Sequence, residues 1–71
     1  MKKEEFLNNV AELLEIEIKD FEQEIKIDSI GTMTLISFID ENFDKTIKMD
    51  AFEQVKSVND LIKLVGEDLF E

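Results

Sequence analysis

The sequence contains no cysteine, no histidine and no proline, and its only glycines are Gly31 and Gly66. Without cysteine and histidine, the chain cannot form disulfides, thiolate nucleophiles, the common zinc sites or an imidazole-based catalytic triad. Without proline, its turns have to be marked by helix-capping residues and by breaks in hydrophobic periodicity. The chain therefore offers few groups for catalysis by its own side chains.

Basic charge is also scarce. Eight lysines oppose 18 acidic residues, which gives a net charge of −10. This balance argues against direct nucleic-acid binding, which needs a cationic surface, and against docking on anionic membranes. No apolar run approaches the roughly 20 residues that a bilayer requires, and the first residues lack the apolar stretch of a signal peptide. We therefore expect a cytoplasmic protein that does not bind nucleic acid or insert into a membrane.

The length of 71 residues predicts a single domain over residues 1–71, which we expect to be monomeric. Hydrophobic residues make up 44% of the chain and include six phenylalanines, so the composition is not that of a disordered acidic tail. A core of this size rarely supplies more than roughly 3–5 kcal/mol of stability. Such a core leaves little interior for a pocket of enzyme size.

Hydrophobic spacing predicts an all-α bundle of three principal helices and one short helix. The principal helices are expected over roughly residues 3–15, 29–42 and from 58 onward, with these apolar stripes: Phe6, Val10, Leu13 and Leu14; Ile30, Met33, Ile36, Ile39 and Phe43; and Val58, Leu61, Ile62, Val65 and Leu69. Asp50 and Glu53 have the spacing of a capping box, which predicts a short helical turn ending near Val55. Ser57 and Asp60 have the same spacing before the last helix.

Residues 16–27 allow two interpretations. Ile16-Glu17-Ile18 and Glu24-Ile25-Lys26-Ile27 alternate like the strands of a hairpin. An isolated two-stranded hairpin is marginal in water, and nothing else in the chain alternates to extend it. We therefore favour a loop whose apolar residues pack against the helices: Ile18, Phe21, Ile25 and Ile27.

The acidic cluster that begins at Asp40 does not predict a metal site. Asp40, Asn42 and Asp44 match the first three ligand positions of a calcium loop, but Lys45 stands where glycine is needed and Ala51 where the bidentate glutamate is needed. Asp40 and Asp44 could serve as an acid–base pair only if one were buried beside a cleft. A solvated anionic surface is the favoured interpretation.

Ser29 is the most informative residue. Asp28 and Ser29 are both good N-cap candidates for the second helix, so Ser29 has a purely structural explanation. Without histidine or cysteine to activate it, Ser29 is not expected to act as a nucleophile in catalysis of the protein's own. A hydroxyl at a helix start is nevertheless well placed to carry a phosphate, because the positive end of the helix dipole favours an anion there.

Asp28-Ser29-Ile30 resembles the Asp-Ser-Leu attachment motif of acyl carrier proteins, with isoleucine in place of leucine. The resemblance extends to the approach to the motif at 21–29, to the end of the second helix at 41–47 and to the start of the last helix at 57–62. Residues 31–34 lack the acidic side chains that fatty-acid-synthesis carriers usually show after the serine. In this respect the motif is more similar to that of D-alanyl and other specialised carriers.

The resemblance implies a carrier protein and not an enzyme. It implies that a phosphopantetheinyl transferase, using magnesium, moves 4'-phosphopantetheine from coenzyme A to Ser29, with Asp28 as part of the motif. The arm would hold an acyl or aminoacyl cargo as a thioester. The implied partners are this transferase, an acyl- or aminoacyl-loading ligase and downstream acyl-processing enzymes, in fatty-acid or specialised biosynthesis.

The resemblance also implies two groups of further site residues. Asp28, Asp40 and Glu41 match acidic positions that face basic docking patches, and Ile30, Met33 and Ile47 match apolar partner contacts. Met33, Ile36, Ile39 and Ile62 are candidates to part and admit an apolar cargo. The competing interpretation is an acidic helical interaction module that binds a basic partner and is never modified.

Overall fold

The computed structural model describes residues 1–71 and contains helices and loops but no strand. The α-helices are α1 (Lys3–Leu14), α2 (Ser29–Phe43) and α3 (Val58–Val65). A 3₁₀ helix spans Met49–Gln54, and a single 3₁₀ turn, Glu67–Leu69, follows α3. The predicted all-α bundle of three principal helices and one short helix is confirmed. No helix has both the length and the apolar character needed to cross a membrane.

The hydrophobic core is one cluster to which all three α-helices, the loop and the 3₁₀ helix contribute. Its buried members are Phe6, Leu7, Val10, Ile18, Ile25, Leu35, Ile39, Phe52, Val58, Leu61, Ile62 and Val65. The four from α3 are fully buried and are the first four residues of its predicted stripe. The fifth, Leu69, lies beyond the end of α3 and is exposed.

The predicted cap of α3 is present in modified form. The Ser57 hydroxyl accepts a hydrogen bond from the amide of Asp60 at 3.3 Å. The Asp60 carboxylate accepts from the amide of Lys56 at 3.0 Å, one residue before the expected donor. The two side chains thus accept hydrogen bonds from backbone amides at the start of α3 that the helix itself leaves without a partner. A capping box has the same effect. At the C-terminal end of α3, Gly66 has a backbone φ of 126°, a value that residues other than glycine rarely adopt.

α1 buries a face that differs slightly from the predicted stripe. Phe6 and Val10 are fully buried as expected, and Leu14 is half-buried. Leu7 joins the core, whereas Leu13 is exposed. Residues 6, 7, 10 and 14 share one side of a helix with 3.6 residues per turn, and residue 13 lies at the edge of this side. The predicted inward position of Leu13 is therefore wrong.

α1 ends without the glycine that commonly ends helices. Glu15 adopts the left-handed conformation with φ 57°. Its amide donates to the carbonyl of Glu12 at 3.2 Å, and the amide of Ile16 donates to the carbonyl of Ala11 at 3.0 Å. This pair of bonds is the Schellman motif. The predicted helix is one residue too long because glutamate gives no sequence signal for this turn.

The buried face of α2 also differs from the prediction. Leu35 and Ile39 are fully buried and Thr32 is buried. Ile30 and Met33, which were placed in the apolar stripe, are 77% and 59% exposed. Apolar residues occur on several sides of this helix, so their spacing did not determine which side faces the core.

The segment between α1 and α2 is a loop, as favoured over the hairpin. The four apolar side chains expected to pack are buried or half-buried: Ile18, Phe21, Ile25 and Ile27. The amide of Ile25 donates to the carbonyl of Lys56 at 2.7 Å, and the amide of Asn59 donates to the carbonyl of Phe21 at 3.1 Å. These bonds fix the loop to the beginning of α3.

The short helix before α3 is a 3₁₀ helix with no capping side chain. It begins at Met49, with Lys48 as the residue before it. Asp50 therefore lies inside the helix, and its predicted capping role is wrong. The helix buries Phe52 and ends at Gln54, close to the predicted end.

Aromatic side chains join the two ends of the chain. The ring centroid of Phe6 is 5.0 Å from that of Phe70 and 6.0 Å from that of Phe38. The amide of Glu71 donates to the carbonyl of Met1 at 3.1 Å. The residues that follow α3 thus cover the beginning of α1, at the end of the molecule where α2 finishes.

Candidate functional site

The start of α2 assigns different roles to its two cap candidates. Asp28 is extended, and its Oδ1 accepts a hydrogen bond from the amide of Gly31 at 2.7 Å. The carbonyl of Asp28 accepts from the amide of Thr32 at 2.8 Å. Asp28 is therefore the N-cap and Ser29 is the first helical residue. The structural explanation for Ser29 as the cap is excluded.

Ser29 is exposed, and its hydroxyl is not needed to cap the helix. The amides of Ser29 and Ile30 precede the first intrahelical hydrogen bond, so the helix leaves them available. No acidic residue lies in the first turn of α2. The positive end of the helix dipole therefore favours a negative group on the Ser29 oxygen. The local geometry fits a phosphate ester.

A surface pocket of about 420 Å³ lies beside Ser29, between the start of α2 and the 3₁₀ helix. It is lined by Ile27, Asp28, Ser29, Thr32, Met49, Asp50, Phe52 and Glu53. The residues from the 3₁₀ helix were not predicted as neighbours of Ser29, because only the fold brings them there. Met49, which is exposed, adds an apolar group to this side of the site.

Close packing of α1 on α2 positions the other side of the site. A Cβ on Gly31 would lie 2.9 Å from Leu14 Cδ2, 3.2 Å from Ile27 Cγ2 and 3.2 Å from Asp28 Oδ1. The absence of a side chain at Gly31 thus lets the end of α1 approach the first turn of α2. Ser29 lies two residues from this contact.

Four of the six predicted partner-contact residues share an outward face of α2. Ile30, Met33, Asp40 and Glu41 are exposed, at helical spacings that place them on one side. The apolar pair lies near Ser29, and the acidic pair lies toward the end of the helix. Ile47 follows α2 and is half-buried against the core.

The four predicted cargo residues lie at different depths. Ile39 and Ile62 are fully buried in the core, Ile36 is half-buried and Met33 is exposed. None of the four lines the pocket beside Ser29. Admission of a chain to Ile39 and Ile62 would require the core to open, because both side chains are fully buried.

The family model described as the phosphopantetheine attachment site matches residues 4–65. The chain belongs to this family. Phosphopantetheine attachment domains carry a covalent 4'-phosphopantetheine group that other enzymes install, so the cofactor implied by the sequence is confirmed. Comparison with curated proteins and with solved structures gives no match.

The matched range contains α2 and α3 in full and all of α1 except Lys3. Within the range, α2 begins with an exposed hydroxyl directly after a capping aspartate.

Proposed function

We propose that Ser29 is the phosphopantetheine attachment residue and that residues 1–71 form a single carrier domain. The observation that carries this proposal is the exposed Ser29 hydroxyl at the first position of α2, with the capping role already filled by Asp28. A side chain needed for the cap could not be esterified without loss of that hydrogen bond. Ser29 can be modified while the helix keeps its N-terminus.

The attachment step requires little of the chain's own residues. The Ser29 oxygen attacks the phosphorus that bears the pantetheine group of coenzyme A, and the phosphoanhydride bond breaks. Adenosine 3',5'-bisphosphate leaves, and the hydroxyl proton passes to a base of the transferase. The start of α2 then stabilises the phosphodiester through its dipole and its available amides. When bound, the arm supplies the thiol that holds cargo as a thioester.

The outward face of α2 is the proposed docking surface for partner enzymes. Ile30 and Met33 offer apolar contacts beside Ser29, and Asp40 and Glu41 offer carboxylates for basic patches. Ile47, which is half-buried, would contribute at the far edge. Complementary charge of this kind increases the association rate more than the affinity, which suits a carrier that has to dissociate again.

The proposed cargo is an acyl or aminoacyl group that belongs to fatty-acid or specialised biosynthesis. The first turn of α2 contains no acidic residue, and in this respect it resembles D-alanyl and related carriers. This resemblance supports a specialised pathway. Shelter of an apolar cargo by Met33, Ile36, Ile39 and Ile62 is a further part of this proposal. The cytoplasmic location and the monomeric state expected from the sequence stay predictions.

Intact-mass measurement after incubation with coenzyme A and a broad-specificity phosphopantetheinyl transferase tests the proposal. The wild-type chain is expected to gain one phosphopantetheine, and the Ser29→Ala variant none. Ser37→Ala is the matched control, because Ser37 is an exposed serine in the same helix and should leave the gain unchanged. An unmodified wild-type chain with several transferases would favour the interaction module instead.

A further inference from the structure

We propose that the C-terminal end of α1 is part of the surface that the phosphopantetheinyl transferase contacts. This surface, here called the α1 patch, consists of the exposed apolar residues Leu13 and Ile16 and the exposed carboxylates of Glu12, Glu15 and Glu17. The inference rests on the proposed modification of Ser29. The inference adds α1 to the docking surface proposed for α2, and it names the transferase as the partner that contacts α1.

The apolar part of the α1 patch is partly exposed to solvent. Leu13 and Ile16 are 37% and 39% exposed, so each leaves part of a large aliphatic side chain in water. Their exposure contributes little to folding, because apolar surface stabilises a fold only when it is removed from water. Burial under a partner would remove it.

The charged part of the α1 patch opposes local stability. Glu12 and Glu15 lie at the C-terminal end of α1, where the negative end of the helix dipole disfavours carboxylates. Glu15 also adopts the left-handed conformation that favours glycine. Several departures from local preference in one short segment indicate a role other than folding.

The α1 patch lies at the same end of the molecule as Ser29. Leu14 contacts the first turn of α2 at Gly31. Leu13 is the neighbour of Leu14 in the chain, and Ser29 is two residues from Gly31. Leu13 and Ile16 are within two residues of Leu14, and Ile30 is next to Gly31, so these three exposed apolar residues lie close to one contact between α1 and α2.

The transferase is the partner that has to cover this region. It must bring its active site to the Ser29 oxygen itself, whereas later enzymes act at the far end of the arm. A standard interface covers about 800 Å² of each partner, a disc of about 16 Å radius. The molecule measures only 25 × 25 × 19 Å, so a footprint centred on Ser29 extends beyond α2.

Charge determines the chemistry expected of the transferase surface. Glu17 forms the one ion pair of the structure, with Lys19 at 3.7 Å, and Glu12 and Glu15 have no lysine partner. A surface that places lysine or arginine side chains opposite these carboxylates, around an apolar contact for Leu13 and Ile16, would complement the α1 patch.

Steady-state kinetics of Ser29 modification, with coenzyme A and a broad-specificity transferase, test the apolar contact. The Leu13→Gln/Ile16→Gln variant is expected to lower kcat/KM about tenfold, mainly through a higher KM. Leu69→Gln is the matched control, because Leu69 is also 39% exposed but lies beyond α3, at the opposite end. It should match wild type.

Two further variants keep the test independent of folding. Ile16→Gln alone changes a residue outside α1 and should lower kcat/KM about threefold, with thermal unfolding to check that the variant is folded at the assay temperature. Glu12→Gln should raise KM at low salt, and the difference should disappear at high salt. Glu67→Gln, an exposed acidic residue after α3, should have no such effect.

The outcomes separate this inference from the proposed function. A wild-type chain that is never modified would overturn both. A wild-type chain that is modified, together with Leu13→Gln/Ile16→Gln and Ile16→Gln variants that match it in kcat/KM, would overturn the α1 patch and leave the carrier proposal intact.

Discussion

Asp28 and Ser29 are adjacent, yet they serve different purposes. The carboxylate of Asp28 holds the amide of Gly31, which leaves the hydroxyl of Ser29 free at the start of α2. The sequence offered both residues as caps and could not choose between them, because either side chain satisfies the preference for a short polar acceptor. The choice depends on where the helix begins relative to the loop.

Two substitutions of Asp28 should distinguish the contribution of its capping hydrogen bond to stability from the contribution of its negative charge. Asp28→Ala removes the acceptor for the Gly31 amide and should lower the free energy of unfolding by about 1 kcal/mol. Asp28→Asn keeps an acceptor oxygen at the same place and should cost only a small part of this. Thermal unfolding followed by circular dichroism measures both variants. Equal losses for the two would show that the charge and not the cap stabilises the helix.

Lys45 is a second residue whose role comes from tertiary structure. Its Nζ donates to the carbonyl of Val65, at the C-terminal end of α3. Lys45, 20 residues away in sequence, thus donates a hydrogen bond to a carbonyl that has no partner within α3. Nothing in the sequence links these two positions, so the contact could not be predicted.

Loss of the Lys45 side chain should weaken the packing of α3. Lys45→Met keeps the aliphatic stem but removes the donor, and should lower the free energy of unfolding by about 1 kcal/mol. Lys63→Met is the matched control, since Lys63 is exposed in the last turn of α3 and only its favourable interaction with the helix dipole is lost. Urea unfolding measures both. A larger loss for Lys63→Met would contradict the assigned role of Lys45.

At the scale of elements, the quality of the prediction followed the clarity of the apolar pattern. α3 has one apolar side, and the four helical members of its stripe are fully buried. α2 has apolar residues on several sides, and tertiary packing selected Leu35 while leaving Ile30 and Met33 outside. The family resemblance, which assigned Ile30 and Met33 to partner contacts, described their exposure better than periodicity did.

The boundaries of α1 and α2 were predicted to within one residue, and the start of α3 was predicted from its capping residue. Ser57 signalled the start of α3, whereas its end before Gly66 was not predicted, because the apolar stripe continues to Leu69. The end of α1 relies on a left-handed glutamate, Glu15, and the end of α2 on a left-handed aspartate, Asp44 with φ 55°. Such positions carry no sequence signal, because backbone strain becomes visible only in the folded chain.

Relief of the strain at Glu15 should stabilise the protein. Glu15→Gly removes the steric cost of the left-handed conformation and a carboxylate at the unfavourable end of α1, and should raise the free energy of unfolding by about 1 kcal/mol. Glu15→Gln removes the charge alone and should give a smaller gain. Chemical denaturation compares the two. If Glu15→Gln gained as much as Glu15→Gly, the charge and not the backbone would be the cause.

For the whole molecule, charge is distributed unevenly and is hardly paired. Residues 44–66 contain four lysines and four acidic residues, so the net charge of −10 falls on the rest of the chain. The single ion pair, between Glu17 and Lys19, is exposed and contributes little. The remaining carboxylates therefore repel one another across a small surface, and folding brings them closer together.

Added salt should consequently raise the melting temperature. At an ionic strength of 0.01 M the Debye length is about 30 Å, so charges interact across the whole molecule, which is 25 × 25 × 19 Å. At 0.1 M it is about 10 Å, and only neighbouring charges interact. We expect a gain of several degrees over this range, and a similar gain from millimolar magnesium. Thermal unfolding at each ionic strength measures it.

A neutralised variant shows whether repulsion is the cause. Glu22→Gln/Glu24→Gln removes two exposed carboxylates from the acidic loop, where the Glu24 side chain takes part in no hydrogen bond or ion pair and Glu22 contributes only its backbone amide. With less repulsion to screen, this variant should melt higher than wild type at low salt and gain less from added salt. A wild-type melting temperature that responds to neither salt nor magnesium would mean that the unfolded chain carries the same repulsion as the folded one. In that case the acidity would serve the encounter with basic partners without a measurable cost to the fold.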